Sequence, residues 1–129
     1  MPYIPAQKAA LLVPSGPQGF HLFTVLTNAC ADGSHLLVSI SSVRDGKFCD
    51  PACIVHAGEH EFIKQRSFVE YRRLTMTRGV LIAKNVDGGV YQAKPPVSDA
   101  LFTRICAGMD ETDFGARGMH AYFQKNKNR

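Results

Sequence analysis

Short apolar and β-branched runs, each ended by a turn, fill the chain between residues 9 and 76. They predict strands over residues 9–13, 21–27, 35–42, 52–57 and 68–76. The dipeptide Asp32-Gly33 is a hairpin signal between the second and third runs. Nearly continuous apolar positions within a strand indicate burial on both faces or curvature into a barrel. The pattern therefore predicts a small β-barrel with polar, reactive side chains at its strand ends.

The rest of the chain contains one clear helix. Ser98 stands as an N-cap after two prolines, and Asp99 suits the positive end of a helix dipole. An apolar stripe then recurs at helical spacing through Leu101, Phe102, Ile105, Cys106 and Met109. Residues 80–91 fit either one helical turn or an edge strand. The predicted fold class is mainly β, a small barrel with a C-terminal helix.

Length and composition favour a single domain. The 129 residues, 45% of them hydrophobic, suffice for one core. We predict one domain over residues 9–110, with loose segments at 1–8 and 117–129. No apolar run approaches the roughly 20 residues of a membrane-spanning helix, and no secretion signal opens the chain. The expected location is the cytoplasm, where the four cysteines are expected to be reduced thiols.

The net charge of +4 is unevenly placed. Residues 117–129 contain four basic and no acidic side chains, which accounts for the whole excess. Residues 64–94 form a second basic stretch, because seven Lys and Arg side chains there face only Glu70 and Asp87. A basic face of this kind fits a polyanion, although a solvated strand surface explains it as well.

Four segments resemble, in order and pattern, those of one known family. HLFTVLT at 21–27 is similar to its second strand, and LLVSISSV at 36–43 to the next strand, in which two small hydroxyl residues close an apolar run. SFVEYRRLTM at 67–76 resembles a later strand, and VSDALFTRICAGM at 97–109 resembles the closing helix. That family is the PemK/MazF-like toxins. The family's opening Gly-Asp-Ile-Val string is absent here.

The resemblance implies an SH3-like barrel, a homodimer and a toxin-antitoxin protein with an antitoxin-like partner. It implies a metal-independent endoribonuclease, without a cofactor, that cuts single-stranded RNA by activating the ribose 2′-hydroxyl. In that family an Arg opening the second strand and a Thr or Ser closing the third carry the chemistry. These positions map to His21 and Ser41, with Ser42 adjacent. The chain thus has a His where the family has an Arg.

The change to His21 is chemically acceptable. An imidazole titrates near neutral pH and can take up or deliver a proton, whereas a guanidinium mainly stabilises charge. The alternative is that His21 is a polar strand terminus beside a Pro- and Gly-rich loop. Ser41 and Ser42 need an adjacent base to act as nucleophiles, and otherwise they are strand-end hydroxyls that cap a turn.

His60 is a second candidate catalytic residue. It stands between Glu59 and Glu61, and a nearby carboxylate would raise its pKa. Phe62 follows as an apolar anchor, so the segment fits the rim of a pocket. The alternative is a charged surface loop that Phe62 holds down.

Candidate RNA contacts are spread over the turn and strand positions. Arginines contact phosphate and tyrosine stacks on bases, and the residues of these types are Arg44, Arg66, Tyr71, Arg72 and Arg73. The alternative is that they are ordinary strand and turn residues.

A zinc site must also be weighed, since Cys49, Cys53, His56 and His60 are suitable ligand types. On a strand over 52–57, however, Cys53 and His56 point to opposite faces. The spacing also lacks a CxxC knuckle, so we predict no metal.

Three hypotheses of function therefore stand. The first is the ribonuclease, with RNA cleavage that resists a chelator. The second is a non-catalytic barrel that binds a protein partner through its edges and basic face. The third is a small zinc-binding domain, which a chelator would unfold.

Overall fold

The structure is a computed structural model that describes residues 2–15, 17 and 19–129. Within those residues the strands are β1 Ala10–Pro14, β2 Phe20–Val25, β3 Ser34–Ser42, β4 Ile54–Val55, β5 Ser67–Val69, β6 Thr75–Arg78 and β7 Gln92–Lys94. The helices are α1 Gly79–Asp87, α2 Asp99–Glu111 and α3 Arg117–Asn126, and Tyr71–Arg73 forms a 3-10 turn. No helix of the described chain is long and apolar enough to cross a membrane.

β3 is the centre of one seven-stranded antiparallel sheet formed by the described residues. One edge of β3 pairs with β2. Its other edge pairs with two strands in succession, first with β6 along 34–37 and then with β5 along 40–42. The order is β4-β5-β3-β2-β1-β7, with β6 beside β3. The end strands β4 and β7 do not pair in the described part of the chain, so the sheet is open and the predicted barrel is not observed. The fold is a mixed α/β protein.

The two faces of the sheet carry different helices, because side chains alternate along each strand. One face bears the main core, in which Val38 of β3 belongs to the same buried cluster as Ile105 of α2 and Phe123 of α3. The other face bears a smaller core, in which Leu37 clusters with Ile82 of α1. The even-numbered residues of β3 from Leu36 to Ile40 therefore pack in the main core, whereas Leu37 packs in the smaller core.

The predicted helix after Ser98 is confirmed as α2. The Ser98 hydroxyl accepts a hydrogen bond from the backbone N–H of Leu101 at 3.1 Å, which is an N-cap. The predicted apolar stripe faces the main core, since Leu101, Phe102, Ile105 and Met109 are buried and Cys106 is half-buried.

The predicted long strand over 68–76 is wrong, because the 3-10 turn divides it into β5 and β6. The side chain of Tyr71 causes the break. Its ring is fully buried and its hydroxyl donates to the backbone oxygen of Ile105 at 2.7 Å. The predicted strand over 52–57 shrinks to the two residues of β4, and the ambiguous segment 80–91 is mostly helix α1.

The C-terminal segment 117–129 corrects the expectation of a loose end. It contains α3, whose Phe123 is only 2% exposed in the main core. Tyr122 donates from its hydroxyl to the backbone oxygen of Ser34 at 3.1 Å, and Asn28 donates to the backbone oxygen of Arg129 at 2.8 Å. At the other end, Gln7 is also bonded, to Asn28 at 3.0 Å. Met1 of the segment 1–8 lies outside the described residues.

Candidate active site

The strand register brings His21 and Ser41 to the same face of the sheet. β2 and β3 pair Leu22 with Ile40. Cross-strand partners share a face and neighbours along a strand alternate, so His21 and Ser41 both lie on the face opposite to that pair. This is the face that carries α1. The helix covers the other end of this face. At the end with His21 and Ser41 a cleft opens around the strand ends, and its lining also includes Leu22, Ile40 and Ser42 of the opposite face.

The cleft has a volume of about 700 Å³ and lies where β2 begins and β3 ends. Its described lining also includes Leu12 of β1, residues of the segments 44–48 and 62–65, Ser67 and Phe68 of β5, Glu70, and Arg72 and Arg73 of the 3-10 turn. A smaller depression of about 350 Å³ lies beside it. Three side chains that can do chemistry line both, namely His21, Ser41 and Arg73.

His21 is half-buried and held at one ring nitrogen. Its Nδ1 shares a hydrogen bond with the hydroxyl of Ser15. Among the described residues its Nε2 has no hydrogen-bond partner. When Nδ1 carries the proton and donates to Ser15, the Nε2 lone pair is available to accept a proton from a molecule in the cleft.

Ser41 and Ser42 lie on opposite faces, as neighbours on a strand must. Both line the large cleft, but only Ser41 also lines the smaller depression beside His21. No hydrogen bond joins either hydroxyl to a described base, so the arrangement offers Ser41 as a hydrogen-bond donor and not as an activated nucleophile.

The cleft is strongly cationic. In its described lining Glu70 is the one carboxylate, and it stands among the basic side chains Arg44, Lys47, Lys64, Arg72 and Arg73. The sequence placed the second basic stretch at 64–94, and the fold adds Arg44 and Lys47 from the turn after β3. A cleft lined by one sign of charge concentrates ions of the opposite sign.

His60 does not line the cleft. It is buried, and its Nε2 donates to the backbone oxygen of Pro95 at 2.7 Å. Its Nδ1 accepts from the backbone N–H of Phe62 at 3.1 Å. Both ring nitrogens are therefore used to tie the loop 56–63 to the segment before α2. This arrangement gives His60 a structural role in place of the predicted catalytic one.

The carboxylates around His60 serve other groups. Glu59 accepts a hydrogen bond from the Arg104 guanidinium of α2 and one from the backbone N–H of His56 at 2.7 Å. The bond from Arg104 is the main reason that the pKa of Glu59 lies below its ordinary value. Arg104 also donates to the backbone oxygen of Ile54 at 2.5 Å. Glu59 therefore fastens the loop to α2.

Two of the predicted RNA contacts lie elsewhere. Tyr71 is buried, and burial raises the pKa of its hydroxyl, so it is not available to stack on a base. Arg66 is exposed but does not line the cleft. Arg44, Arg72 and Arg73 do line it, so the structure brings three of the five together.

The residues weighed as zinc ligands do not assemble. No group of three or more His, Cys, Asp or Glu side chains in the described part of the chain is placed to hold a metal ion. His60 is committed to Pro95 and Phe62, while His56 is exposed on the surface.

Several cleft residues were not predicted as site residues. Lys64 and Glu70 belong to the basic stretch at 64–94, but nothing in the sequence placed them beside His21, and Lys47 and Phe48 had no motif around them. The alternation of Phe48, Phe62 and Phe68 with basic side chains was the available signal, because aromatic and basic residues together are typical of nucleic-acid surfaces.

In comparisons with known proteins, no protein-family model and no curated protein matches this chain.

Proposed function

We propose that this chain is a metal-independent endoribonuclease of the PemK/MazF-like type that cuts single-stranded RNA. The supporting observation is that His21, Ser41 and Arg73 line one cationic cleft and the depression beside it. The proposal includes an SH3-like arrangement of the strands. It also includes a homodimer in the cytoplasm whose activity an antitoxin-like protein controls.

The proposed reaction needs one proton acceptor at the ribose. Nε2 of His21 takes the proton of the 2′-hydroxyl, and the 2′-oxygen forms a bond to phosphorus. The bond from phosphorus to the 5′-oxygen breaks, and water supplies the proton that the leaving oxygen needs. The products are a 2′,3′-cyclic phosphate and a 5′-hydroxyl. In this proposal the Nδ1–H of His21 donates to the hydroxyl of Ser15, which leaves the Nε2 lone pair to act as the base.

Arg73 and Ser41 have complementary parts in this proposal. Negative charge grows on the phosphoryl oxygens as the 2′-oxygen attacks, and donors placed in advance at these oxygens lower the barrier. Arg73 supplies the positive charge that the PemK/MazF-like family has at the position of His21, and the Ser41 hydroxyl donates a hydrogen bond. The role of base thus belongs to β2, and the role of electrostatic stabiliser belongs chiefly to the 3-10 turn.

Single-stranded RNA suits the cleft better than a duplex. Unpaired nucleotides can turn their bases out to stack on aromatic side chains. Phe20 and Phe62 line the cleft and remain 51% and 39% exposed. The basic side chains beside them suit the phosphates of the same strand.

The test uses mixed single-stranded RNA, with and without EDTA, and analysis of the product ends. Wild-type protein is expected to cleave in both conditions and to leave cyclic phosphates. His21→Ala is expected to lower the cleavage rate by about a hundredfold or more, because it removes the base. His56→Ala is the matched control, since His56 is exposed and does not line the cleft.

Absence of cleavage by folded wild-type protein would overturn the proposal, as would equal rates for the two variants. Either result would favour the non-catalytic binding module. The search for its partner would then begin at the exposed apolar side chains of β6 and α1, which are Met76, Val80 and Leu81.

A further inference from the structure

The guanidinium of Arg72 makes two contacts within the protein, one with a carboxylate and one with an aromatic ring. Its Nε donates to Oε2 of Glu70 at 3.1 Å, and its guanidinium carbon lies 3.8 Å from the centre of the Phe48 ring. The ring of Phe48 is fixed in turn by edge-on contacts with Phe68 and Phe114, at centroid distances of 6.0 and 4.9 Å. The guanidinium is therefore constrained at one edge and on one face.

The backbone beneath Arg72 is equally constrained. Tyr71 anchors the 3-10 turn through its bond to Ile105, and the N–H of Arg73 donates to the backbone oxygen of Glu70 at 3.0 Å. Glu70 itself is bonded through its N–H to the oxygen of Ser39 at 2.9 Å. The backbone of the residue that orients Arg72 is thus bonded directly to the central strand β3.

These contacts leave the two terminal nitrogens of Arg72 available to donate hydrogen bonds to a ligand. The Arg72 side chain is 38% exposed and lines the cleft. Nε is engaged, but the two terminal nitrogens have no hydrogen-bond partner in the described part of the chain. A guanidinium presents these donors as a planar fork that matches two oxygens of a phosphate.

From this geometry we infer that Glu70 and Phe48 are positioning residues, which hold Arg72 as a preformed contact for a phosphodiester of the bound strand. The inference rests on the proposed function for the identity of the ligand. The inference also explains why Glu70 is buried in a cleft proposed to bind an anion. Its negative charge alone would repel such a ligand.

The direction in which one substitution changes the affinity for an anion distinguishes a positioning role of Glu70 from a purely electrostatic one. Glu70→Gln makes the cleft more positive, so a carboxylate acting only as a charge predicts tighter binding of an anion. If Glu70 positions Arg72, the variant binds more weakly by about threefold to tenfold, because a neutral amide holds the guanidinium less firmly than a carboxylate and the looser side chain must be ordered on binding. The two explanations therefore predict opposite directions.

The probe is a fluorescein-labelled oligothymidylate, which has no 2′-hydroxyl and is not cut by the proposed reaction. Its Kd is measured over a series of salt concentrations for wild type, Glu70→Gln, Phe48→Leu, Arg72→Ala and Arg66→Ala. Arg72→Ala is expected to reduce the slope of log Kd against log salt by about 0.7, the loss of one phosphate contact. Arg66→Ala is the matched control outside the cleft and is expected to leave the slope less changed.

Phe48→Leu carries the test if Glu70→Gln does not fold. It keeps every charge, so it is expected to weaken binding while leaving the salt slope as in wild type. Tighter binding by Glu70→Gln, or equal slopes for Arg72→Ala and Arg66→Ala, would overturn the inference. Because the probe resists cleavage, a failure of RNA cleavage with these binding results intact would refute the ribonuclease and retain the anion contact.

Discussion

The phenol of Tyr71 lies directly against the backbone of Gly108 in α2. A Cβ atom placed on Gly108 would stand 2.0 Å from the Tyr71 hydroxyl oxygen and 2.7 Å from the adjacent ring carbon. The same hydroxyl bonds to Ile105 one turn earlier in the helix. The contact between Tyr71 and Gly108 therefore holds the 3-10 turn of Arg72 and Arg73 in place, and only a glycine at position 108 permits it.

Gly108→Ala is expected to lower the free energy of unfolding by about 1–3 kcal/mol, because the buried ring cannot move without disturbing its neighbours. Gly118→Ala in α3 is the matched control, since a Cβ there meets no atom within 4 Å. Helix propensity predicts that this control is neutral or stabilising by up to about 1 kcal/mol. Urea denaturation of both variants measures the difference, and equal effects would contradict the contact.

Phe123→Ala is expected to cost about 3–5 kcal/mol, the usual range for removing a large buried aromatic side chain. The exposed Lys125→Ala in the same helix is expected to change stability little. Thermal or urea unfolding monitored by circular dichroism compares the two. A small effect of Phe123→Ala would mean that α3 does not pack on the core.

Glu59 predicts an acid-sensitive contribution to stability. Its folded pKa lies below the ordinary 4.5, chiefly because Arg104 bonds to the carboxylate. The stabilisation is therefore complete above the unfolded pKa and is lost as the pH falls through the folded pKa. At neutral pH Glu59→Gln is expected to cost about 1 kcal/mol or less, since the pair is partly exposed.

The measurement is urea unfolding of wild type and Glu59→Gln from pH 7 down to pH 3. The difference between them is expected to shrink as the pH falls below the unfolded pKa. Glu111→Gln, an exposed carboxylate at the end of α2, controls for the general effect of acid. A difference that stays constant over this range would show that Glu59 gains nothing from Arg104.

Ser41 and Ser42 are expected to differ in the proposed ribonuclease. Ser41→Ala removes a donor on the face of His21 and is expected to slow RNA cleavage by about tenfold to a hundredfold. Ser42→Ala changes the cleft only on the opposite face and leaves unchanged the depression that His21 and Ser41 share, so its rate is expected to stay close to wild type. Single-turnover rates with a labelled single-stranded RNA measure both, and a larger effect of Ser42→Ala would contradict the assignment.

Local signals in the sequence predicted the local structure well. Ser98 and the apolar stripe that follows it defined α2, because an N-cap and a period of 3.6 residues are recorded in neighbouring positions. Asp32-Gly33 marked the turn between β2 and β3, where Gly33 has a φ of 81°. The family resemblance named His21 and Ser41 as candidate residues of one catalytic site. The strand register places the two residues on the same face of the sheet.

What depended on distant contacts was not predictable in the same way. The segment 67–76 is rich in strand-forming residues, and its interruption at Tyr71 depends on a helix more than thirty residues later. An unbroken strand would send Arg72 and Arg73 to opposite faces, whereas the turn lets both line one cleft. His60 appeared reactive in sequence because its partner, the carbonyl of Pro95, lies on another segment.

The ladder between β1 and β7 also bears on how the chain reaches its fold. Ala10 pairs with Lys94, whereas β2 and β3 are joined by a short hairpin. During synthesis the first three strands can associate early, but the outer edge of β1 must wait for residue 94 to emerge. Pairing segments so far apart costs loop-closure entropy before any contact repays it. We therefore expect the closing of this ladder to be a late step in folding, and until it occurs β1 has an unpaired edge that other nascent chains can pair with.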